Sequence, residues 1–337
     1  MKTRPKLAQA FAEMTRIRAG IRRVCGPREI ACARNEAVVA CMVRNGEGYI
    51  EQFMEHYFSL GAKHIVFLDN GSADRTIALA RRRRGVSVFE YPLPIGRGEM
   101  FLRRYLIGVC RPHWTLCADI DEFFDYPFSG RVGLDGLIEY LNAHSHTALI
   151  TQMLDMFSRE IPPVGRDFVR ADYPFYDVAG IETIDYRDAR FGSRLKDNVV
   201  SNDAVKFHLG GVRRSVFGSG NWLTKHSLIR PAEIVLTDPH CVSRARCADL
   251  SGVVFHYKFT PSFHERARDY VATGFGGMPP EYAAILKAGR SPRVFDPATA
   301  RKFRSIEELV DDGFLVVSDR YRRWVRRLTG RRRRGLP

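Results

Sequence analysis

Several features that define common protein classes are missing from this 337-residue sequence. It has no CxxC pair, and its seven cysteines fit no disulfide framework, which favours a reducing compartment. No apolar run reaches the roughly 18 residues of a membrane-spanning helix, and the first residues show no signal-peptide core. No RNA- or DNA-binding module is recognisable, although the formal charge is +15. We therefore expect a cytoplasmic protein with an anionic substrate or surface as its partner.

Apolar runs in the first half of the chain alternate with stretches of helical spacing. The runs at 37–45, 63–70, 86–91 and 114–124 are typical of buried strands, and the segments between them place apolar residues on one helical face. This order predicts an α/β, Rossmann-like fold with a mostly parallel central sheet flanked by helices. Ligands of such sheets bind beyond the carboxyl ends of the strands.

Both ends of the chain are basic and have helical patterns. We therefore divide the sequence into an N-terminal extension (1–35), a catalytic domain (36–260) and a C-terminal extension (261–337). Apolar residues recur at helical spacing among the arginines of both ends: Leu7, Phe11, Met14, Ile17, Trp324, Val325 and Leu328. These helices either lie peripherally on an anionic membrane leaflet or pack on the central domain.

Two aspartates, Asp119 and Asp121, close the fourth apolar run. Strand alternation would point both side chains to one side of the sheet. Carboxylates in that arrangement suit Mg²⁺ or Mn²⁺, which are commonly held by one or two carboxylates together with substrate phosphates. The alternative is an acidic strand end on a solvated surface.

A polar turn follows the second run, beginning Asp69-Asn70-Gly71-Ser72. Ser72 is predicted to cap a helix that continues to Gly85. The Asp69 carboxylate either hydrogen-bonds a base or ribose in the crevice or belongs to a capped loop that needs no ligand.

Four segments in a fixed order carry a family resemblance: "MVRN", "YIEQFMEH", "LGAKHIVFLDNGSADRT" and "WTLCADIDEFF". The set resembles the family 2 type of glycosyltransferase. More narrowly, it is similar to a bacterial branch with the pattern Arg-Asn-Glu, Asp-Asn-x-Ser-x-Asp-x-Thr and Asp-x-Asp-Glu-Phe. The resemblance extends over residues 37–320, and the ordered set is more specific than any one motif.

The resemblance implies a GT-A fold, a nucleotide-sugar donor and Mn²⁺ or Mg²⁺ as cofactor. Carried over by position, Asn45 and Asp69 would contact the donor, and Asp119 and Asp121 would hold the metal and diphosphate. One departure is Gly46, which stands where the family pattern has glutamate.

Family 2 enzymes usually invert the anomeric centre, so a carboxylate must accept the proton of the acceptor hydroxyl. Asp155, at the end of "LITQMLD", is the candidate general base, with Asp177 and Asp238 as rivals. His256 is the candidate third metal ligand and His240 the alternative, although a histidine on an apolar strand is commonly a core residue.

The sequence thus predicts transfer of a sugar from a nucleotide sugar to a hydroxyl of a saccharide or lipid-linked acceptor, in surface polysaccharide or glycolipid synthesis. The alternatives are a metal-dependent nucleotidyltransferase and a basic nucleic-acid-binding protein. Lys206, Arg213 and Lys225 either bind phosphate or are solvated. We expect a cytoplasmic enzyme, or one peripheral to the inner face of the membrane, and no nucleic-acid partner.

Overall fold

The computed structural model describes residues 14–92, 98–161, 168–187, 195, 197–272, 280–288 and 293–333. The expectations for Leu7 and Phe11 lie outside the described residues.

Within these residues, ten strands form the central sheet: β1 (Arg22–Cys25), β2 (Ala37–Val43), β3 (His64–Asp69), β4 (Val86–Glu90), β5 (Trp114–Cys117), β6 (Glu122–Asp125), β7 (Ala148–Asp155), β10 (Val199–Val200), β12 (Thr224–Ile229) and β15 (Arg246–His256). Six short strands pair outside it: β8 (Phe175–Tyr176), β9 (Ile181–Ile184), β11 (Phe207–Gly210), β13 (Val235–Leu236), β14 (Val242–Ser243) and β16 (Arg301–Lys302). The helices are α1 (14–20), α2 (Glu47–Leu60), α3 (Thr76–Ala80), α4 (Glu99–Val109), α5 (Leu134–Ala143), α6 (Val212–Phe217), α7 (Phe263–Ala272), α8 (Pro280–Ala288), α9 (Ile306–Asp311) and α10 (Asp319–Arg333).

The central sheet has the strand order β1-β4-β3-β2-β5-β12-β7-β15-β10, and β6 pairs with the carboxyl half of β15. Strands β1, β6 and β12 are antiparallel to their neighbours, and the others run in one direction. The predicted α/β class with a mostly parallel, Rossmann-like sheet is therefore confirmed.

Alternating side chains of the central strands pack against helices on opposite faces of the sheet. Val39 and Phe67 belong to the core that also contains buried residues of α2 and α5. Val38 and Val66 belong to the core beneath α4. Both faces of these strands are buried, which is why their sequences are continuous apolar runs.

The prediction of a single strand over 114–124 is wrong. Strand β5 ends at Cys117, and β6 begins at Glu122 and runs antiparallel to β15. The Asp119 N–H donates to Glu122 Oε2 at 2.9 Å, and the Glu122 N–H donates to the Asp119 carbonyl at 3.0 Å. These two bonds close a turn, so Asp119 and Asp121 lie on a turn rather than on alternating strand positions.

The predicted N-cap at Ser72 is also wrong. Helix α3 covers only Thr76–Ala80, and its N-cap position is Arg75. The Ser72 hydroxyl instead donates to Asp69 Oδ1 and accepts the Asn45 N–H, and Ser72 lies three residues before the N-cap position.

In the described part of the N-terminal extension, residues 14–35, the helix is shorter than the pattern indicates. After α1, β1 pairs with β4 and becomes the edge of the sheet. Without β1, the backbone groups of β4 on that side would be unpaired, and such groups readily pair with a neighbouring segment. At the other end, α10 buries Tyr321 and Val325 in the main core, with Trp324 and Leu328 packed against it.

These residues of α10 therefore pack on the protein core, as the packing alternative expects. Among the described residues, no helix is both long enough and apolar enough to cross a membrane. Peripheral contact through the exposed arginines of α10 stays a prediction.

Candidate active site

The fold brings the predicted site residues to the carboxyl edge of the sheet. Val43 pairs with Asp69, and Asp155 with His256, in parallel register. The predicted site residues that end or follow strands at this edge are Asn45, Asp69, Asp119, Asp121, Asp155 and His256. This is the edge at which sheets of this kind bind ligands.

The two aspartates of the β5–β6 turn are paired with different cations. Arg103 of α4 donates to Asp119 Oδ1 at 2.9 Å, and Arg266 of α7 donates to Asp121 Oδ2 at 2.5 Å. Burial alone would raise the pKa of both carboxyls, but the surrounding cations outweigh it and hold both pKa values well below the usual range. The solvated-surface interpretation of Asp121 is wrong, since the residue is only 8% exposed.

Lys225 lies at the centre of this charge cluster, and sequence reasoning did not place it there. It is 1% exposed, and its Nζ lies 2.6 Å from Glu122 Oε2 and 3.7 Å from Asp119 Oδ2. Burial lowers the pKa of Lys225, but Glu122 and Asp119 outweigh this and raise it. Its sequence neighbours Thr224, His226 and Ser227 are polar, so the sequence offers no signal of its burial.

Asp155 is held on both sides by buried groups. Arg213 Nε donates to its Oδ2 at 2.8 Å, and His256 Nδ1 lies 2.5 Å from its Oδ1. The other imidazole nitrogen of His256 lies 3.5 Å from Asp121 Oδ2. Burial would raise the pKa of Asp155, but Arg213 and His256 bring it down to about 2.

His256 therefore links the candidate base to the β5–β6 turn that carries Asp121. Burial would lower the pKa of the imidazole, but Asp121 and Asp155 outweigh burial and raise it. The structure thus joins three residues that the sequence assigned to two different tasks.

The donor groups suit a divalent cation in kind, because Asp119 and Asp121 offer hard oxygen and His256 a ring nitrogen. Each of them, however, already has a close partner of opposite charge. Over the described ranges, no group of three or more His, Cys, Asp or Glu side chains is arranged to hold a metal ion. Metal binding at these residues stays a prediction, and it requires an exchange of partners.

The loops after β2 and β3 are joined by hydrogen bonds. Asn45, whose φ of 49° is in the left-handed region, accepts a bond from the Ala73 N–H at 2.9 Å and donates its own N–H to Ser72 Oγ at 2.8 Å. The Gly46 N–H donates to Thr76 Oγ1 at 2.8 Å. The backbone donors at the start of α2 are therefore already satisfied by the neighbouring loop.

Asp69 serves its own loop in this arrangement. The residue is 0% exposed, and its carboxylate accepts bonds from the N–H and the hydroxyl of Ser72. Burial raises its pKa, against the lowering effect of the Ser72 bonds. The capped-loop alternative accounts for these contacts, and a contact with a nucleotide stays a prediction.

A cleft of about 810 Å³ opens beside the charge cluster, between the start of α2 and helix α7. Its lining includes Arg44, Asn45, Tyr49, Asp74, Arg266 and Tyr282. Arg44 Nε donates to Asp269 Oδ2 at 2.7 Å and so ties α7 to the end of β2. Arg266 belongs to both regions, because it lines the cleft and bonds Asp121.

The rival carboxylates hold their own loops. Asp177 accepts bonds from the Ala179 N–H at 2.7 Å and the Thr299 hydroxyl at 2.5 Å. Asp238 accepts the N–H groups of His240 and Cys241 at 2.8 and 2.9 Å. Such contacts are typical of loop carboxylates with a structural role.

Comparison with known proteins gives structural neighbours but no family. No family model matches the chain, and no curated protein matches its sequence. The solved structure of TarS 1-349 from S. aureus in complex with UDP is 18% identical, with a TM-score of 0.31, and the alignment spans only 38% of each chain. UDP-glucose pyrophosphorylase from Acinetobacter baumannii is 11% identical over 76% of this chain and 99% of its own, with a TM-score of 0.31. A UTP-bound UGPase from the same organism is 14% identical over 43% of this chain and 66% of its own, with a TM-score of 0.22. Similarities this weak carry no argument about function.

Proposed function

We propose that this chain is a nucleotide-sugar-dependent glycosyltransferase of the GT-A type, related to the family 2 enzymes. The observation that carries the proposal is the position of Arg266. Its guanidinium lines the 810 Å³ cleft and also bonds Asp121 of the Asp-x-Asp turn. A donor lying in the cleft would thus have its diphosphate beside a charge cluster at the carboxyl edge of a parallel sheet.

The size of the cleft and part of its lining suit a nucleoside diphosphate, although the carboxylates of Glu47, Asp74, Glu265 and Asp269 also line it. Pockets for small molecules commonly measure about 300–1,000 Å³ and combine aromatic walls with a few placed polar groups. Tyr49 and Tyr282 supply aromatic walls, and Arg44 and Arg266 supply guanidinium groups that suit phosphate oxygens.

In the proposed reaction, an acceptor hydroxyl attacks the anomeric carbon, the bond from that carbon to the diphosphate oxygen breaks, and the hydroxyl proton passes to a base. Asp155 is the proposed base. Asp155 could also act by orienting the imidazole of His256, which lies beside its Oδ1, while Arg213 holds its Oδ2. A divalent cation, when held by Asp119, Asp121 and His256, would neutralise charge on the leaving diphosphate.

The nucleotidyltransferase alternative is less well supported, because it needs free backbone donors in the loop after the first parallel strand. That loop follows β2, and the N–H groups of Asn45, Gly46 and Glu47 are bonded to Ser72, Thr76 and Asp74. Donors already satisfied in this way are not available to cradle a phosphate.

The acceptor is proposed to be a saccharide or a lipid-linked saccharide. A membrane-side location would rest on the exposed arginines of α10, among them Arg323 and Arg327, since its apolar residues are packed inside the protein. Sedimentation with anionic vesicles should then show binding at low salt that disappears at high salt. Absence of binding at low salt would leave a cytosolic enzyme.

Thermal unfolding tests the proposed function directly. UDP-, GDP- and TDP-sugars are added with and without Mn²⁺, and one of them together with Mn²⁺ should raise the Tm by a few degrees. Asp121→Asn should abolish the rise. Asp185→Asn is the matched control, because that side chain is 63% exposed and does not belong to the candidate site.

Three further ligands separate the alternatives. A rise in Tm with a nucleoside triphosphate and a sugar phosphate, followed by release of pyrophosphate, would favour the nucleotidyltransferase. A rise with an oligonucleotide, and none with any nucleotide sugar, would contradict the proposal.

A further inference from the structure

The Asp121 carboxylate has an internal cation where a metal ion would be expected. We propose that Arg266 is an exchangeable counter-ion, which keeps a divalent cation from Asp121 until a nucleoside diphosphate enters the cleft. Cation and nucleotide would then bind cooperatively, each weakly alone and tightly together. This inference rests on the proposed function, because it takes the cleft ligand to be a nucleoside diphosphate.

Arg266 is built to exchange between two partners. Its side chain is 18% exposed, and its guanidinium lies over the ring of Tyr49, with 5.4 Å between Cζ and the ring centroid. One guanidinium nitrogen bonds Asp121 and the other bonds the Lys258 carbonyl. Its Nε is buried and has no hydrogen-bond partner in the described part of the chain. An arginine whose guanidinium lines a cleft and has a donor without a partner can turn toward an incoming phosphate by a change of side-chain conformation.

The charges around the turn explain why exchange is needed. Four carboxylates meet three cations there: Glu99, Asp119, Asp121 and Glu122 with Arg103, Arg266 and Lys225. A free divalent cation therefore finds each of these carboxylates already beside a cation. If it displaced Arg266 from Asp121, a partly buried guanidinium would lose its partner, which is unfavourable.

A nucleoside diphosphate removes that obstacle. Its phosphate oxygens can accept both N–H groups of the displaced Arg266, in the bidentate geometry that guanidinium favours. Asp121 is then free for the cation, which the phosphates also attract. Each ligand lowers the free energy for binding the other, and such a coupling is reciprocal.

A second ion pair keeps α7 in place during the exchange. Asp269, one turn beyond Arg266 on the same helix, pairs with Arg44 at 2.7 Å, and Arg44 also donates to the Asn70 carbonyl. Loss of the Arg266–Asp121 contact therefore leaves α7 attached, and variants of Arg266 are expected to fold.

The test measures Mn²⁺ affinity on the full chain by calorimetry and by electron paramagnetic resonance of free Mn²⁺, with and without UDP, GDP or TDP. For the wild type, one of these nucleotides should tighten Mn²⁺ binding at least ~10-fold, a coupling of about 1.4 kcal/mol. Arg266→Gln should bind Mn²⁺ without nucleotide, and most of the coupling should vanish.

Two companion variants make the result specific. Arg268→Gln removes the same charge from an exposed position on the same helix and should keep the wild-type coupling. Arg266→Lys retains a cation beside Asp121 and should still exclude free Mn²⁺, so it keeps the test valid if the glutamine variant fails to fold.

The outcomes distinguish this inference from the proposed function. Equal Mn²⁺ affinity with and without a bound nucleotide, or unchanged coupling in Arg266→Gln, would overturn the counter-ion role and leave the glycosyltransferase proposal standing. No binding of any of the three nucleotides, with or without Mn²⁺, would overturn both.

Discussion

Carboxylates at the two ends of one sheet edge are used in opposite ways. At the β2–β3 end, Asp69 accepts hydrogen bonds from its own loop, and burial raises its pKa. At the β5–β7 end, Asp121 and Asp155 are paired with cations from distant parts of the chain, which hold their pKa values low despite burial. The first end is a loop held by its own hydrogen bonds, and the second is a cluster of ion pairs, which we propose a ligand rearranges.

The largest expected change in stability comes from removing Lys225, the buried cation at the β5–β7 end. Lys225→Ala should lower the free energy of unfolding by about 3–5 kcal/mol, because Glu122 would be left as a buried, unpaired charge. Urea denaturation measures the change. The control is Lys206→Ala, whose partner Asp185 is 3.5 Å away in a solvent-exposed pair, and it should cost less than about 1 kcal/mol. Equal costs for the two variants would break the contrast.

The next effect is on turnover. Asp155→Asn should bind the donor normally but transfer sugar at least ~100-fold more slowly, the usual scale for a lost proton acceptor. His256→Gln and the double variant show how Asp155 acts. If it works through the imidazole, the double variant will be no slower than the slower single variant. Full activity of Asp155→Asn would show that Asp155 has no part in the mechanism. Asp177→Asn is the matched control, because the Asp177 carboxylate holds its own loop.

A smaller effect concerns acid stability. A pKa of about 2 for Asp155, below the ordinary aspartate value, means that its ionised form stabilises the folded state. This contribution, about 2–3 kcal/mol, is complete above the unfolded-state pKa and is lost as the pH falls through the folded value. The stability advantage of the wild type over Asp155→Asn should therefore shrink between pH 5 and pH 2, as measured by urea unfolding. An advantage independent of pH would contradict the ion-paired assignment.

The smallest effect is expected at Asp69, and its pH dependence should have the opposite sign. Because burial raises its pKa, the folded state is penalised when Asp69 is ionised at neutral pH. Asp69→Asn should change the free energy of unfolding by less than about 1 kcal/mol at pH 7, since relief of that penalty offsets the lost acceptor. As the pH falls through the raised pKa, the wild type should gain relative to the variant. Urea unfolding at several pH values measures this difference. If the wild type instead loses stability relative to Asp69→Asn as the pH falls, Asp69 behaves like Asp155 and the contrast between the two ends is wrong.

Local pattern predicted the parallel strands well, because β2, β3 and β4 are buried on both faces and read as apolar runs. The turn after β5 was missed, because the Glu122 carboxylate that closes it looks like one more strand residue. The burial of Lys225 was missed for a related reason: its partner Glu122 lies 103 positions away. A sequence pattern reports local geometry, whereas pairing between distant charges depends on the finished fold.

The contacts that complete the cleft have a consequence for how this protein folds. Arg44 and Asp269 are 225 positions apart, and Asp121 and Arg266 are 145 apart. Contacts that close such long stretches of chain form slowly, after local structure is in place. A refolding chain would therefore acquire its secondary structure before it acquires a binding cleft. If the chain binds a nucleotide as proposed, recovery of that affinity should come later than recovery of the circular dichroism signal, and it would report when α7 docks.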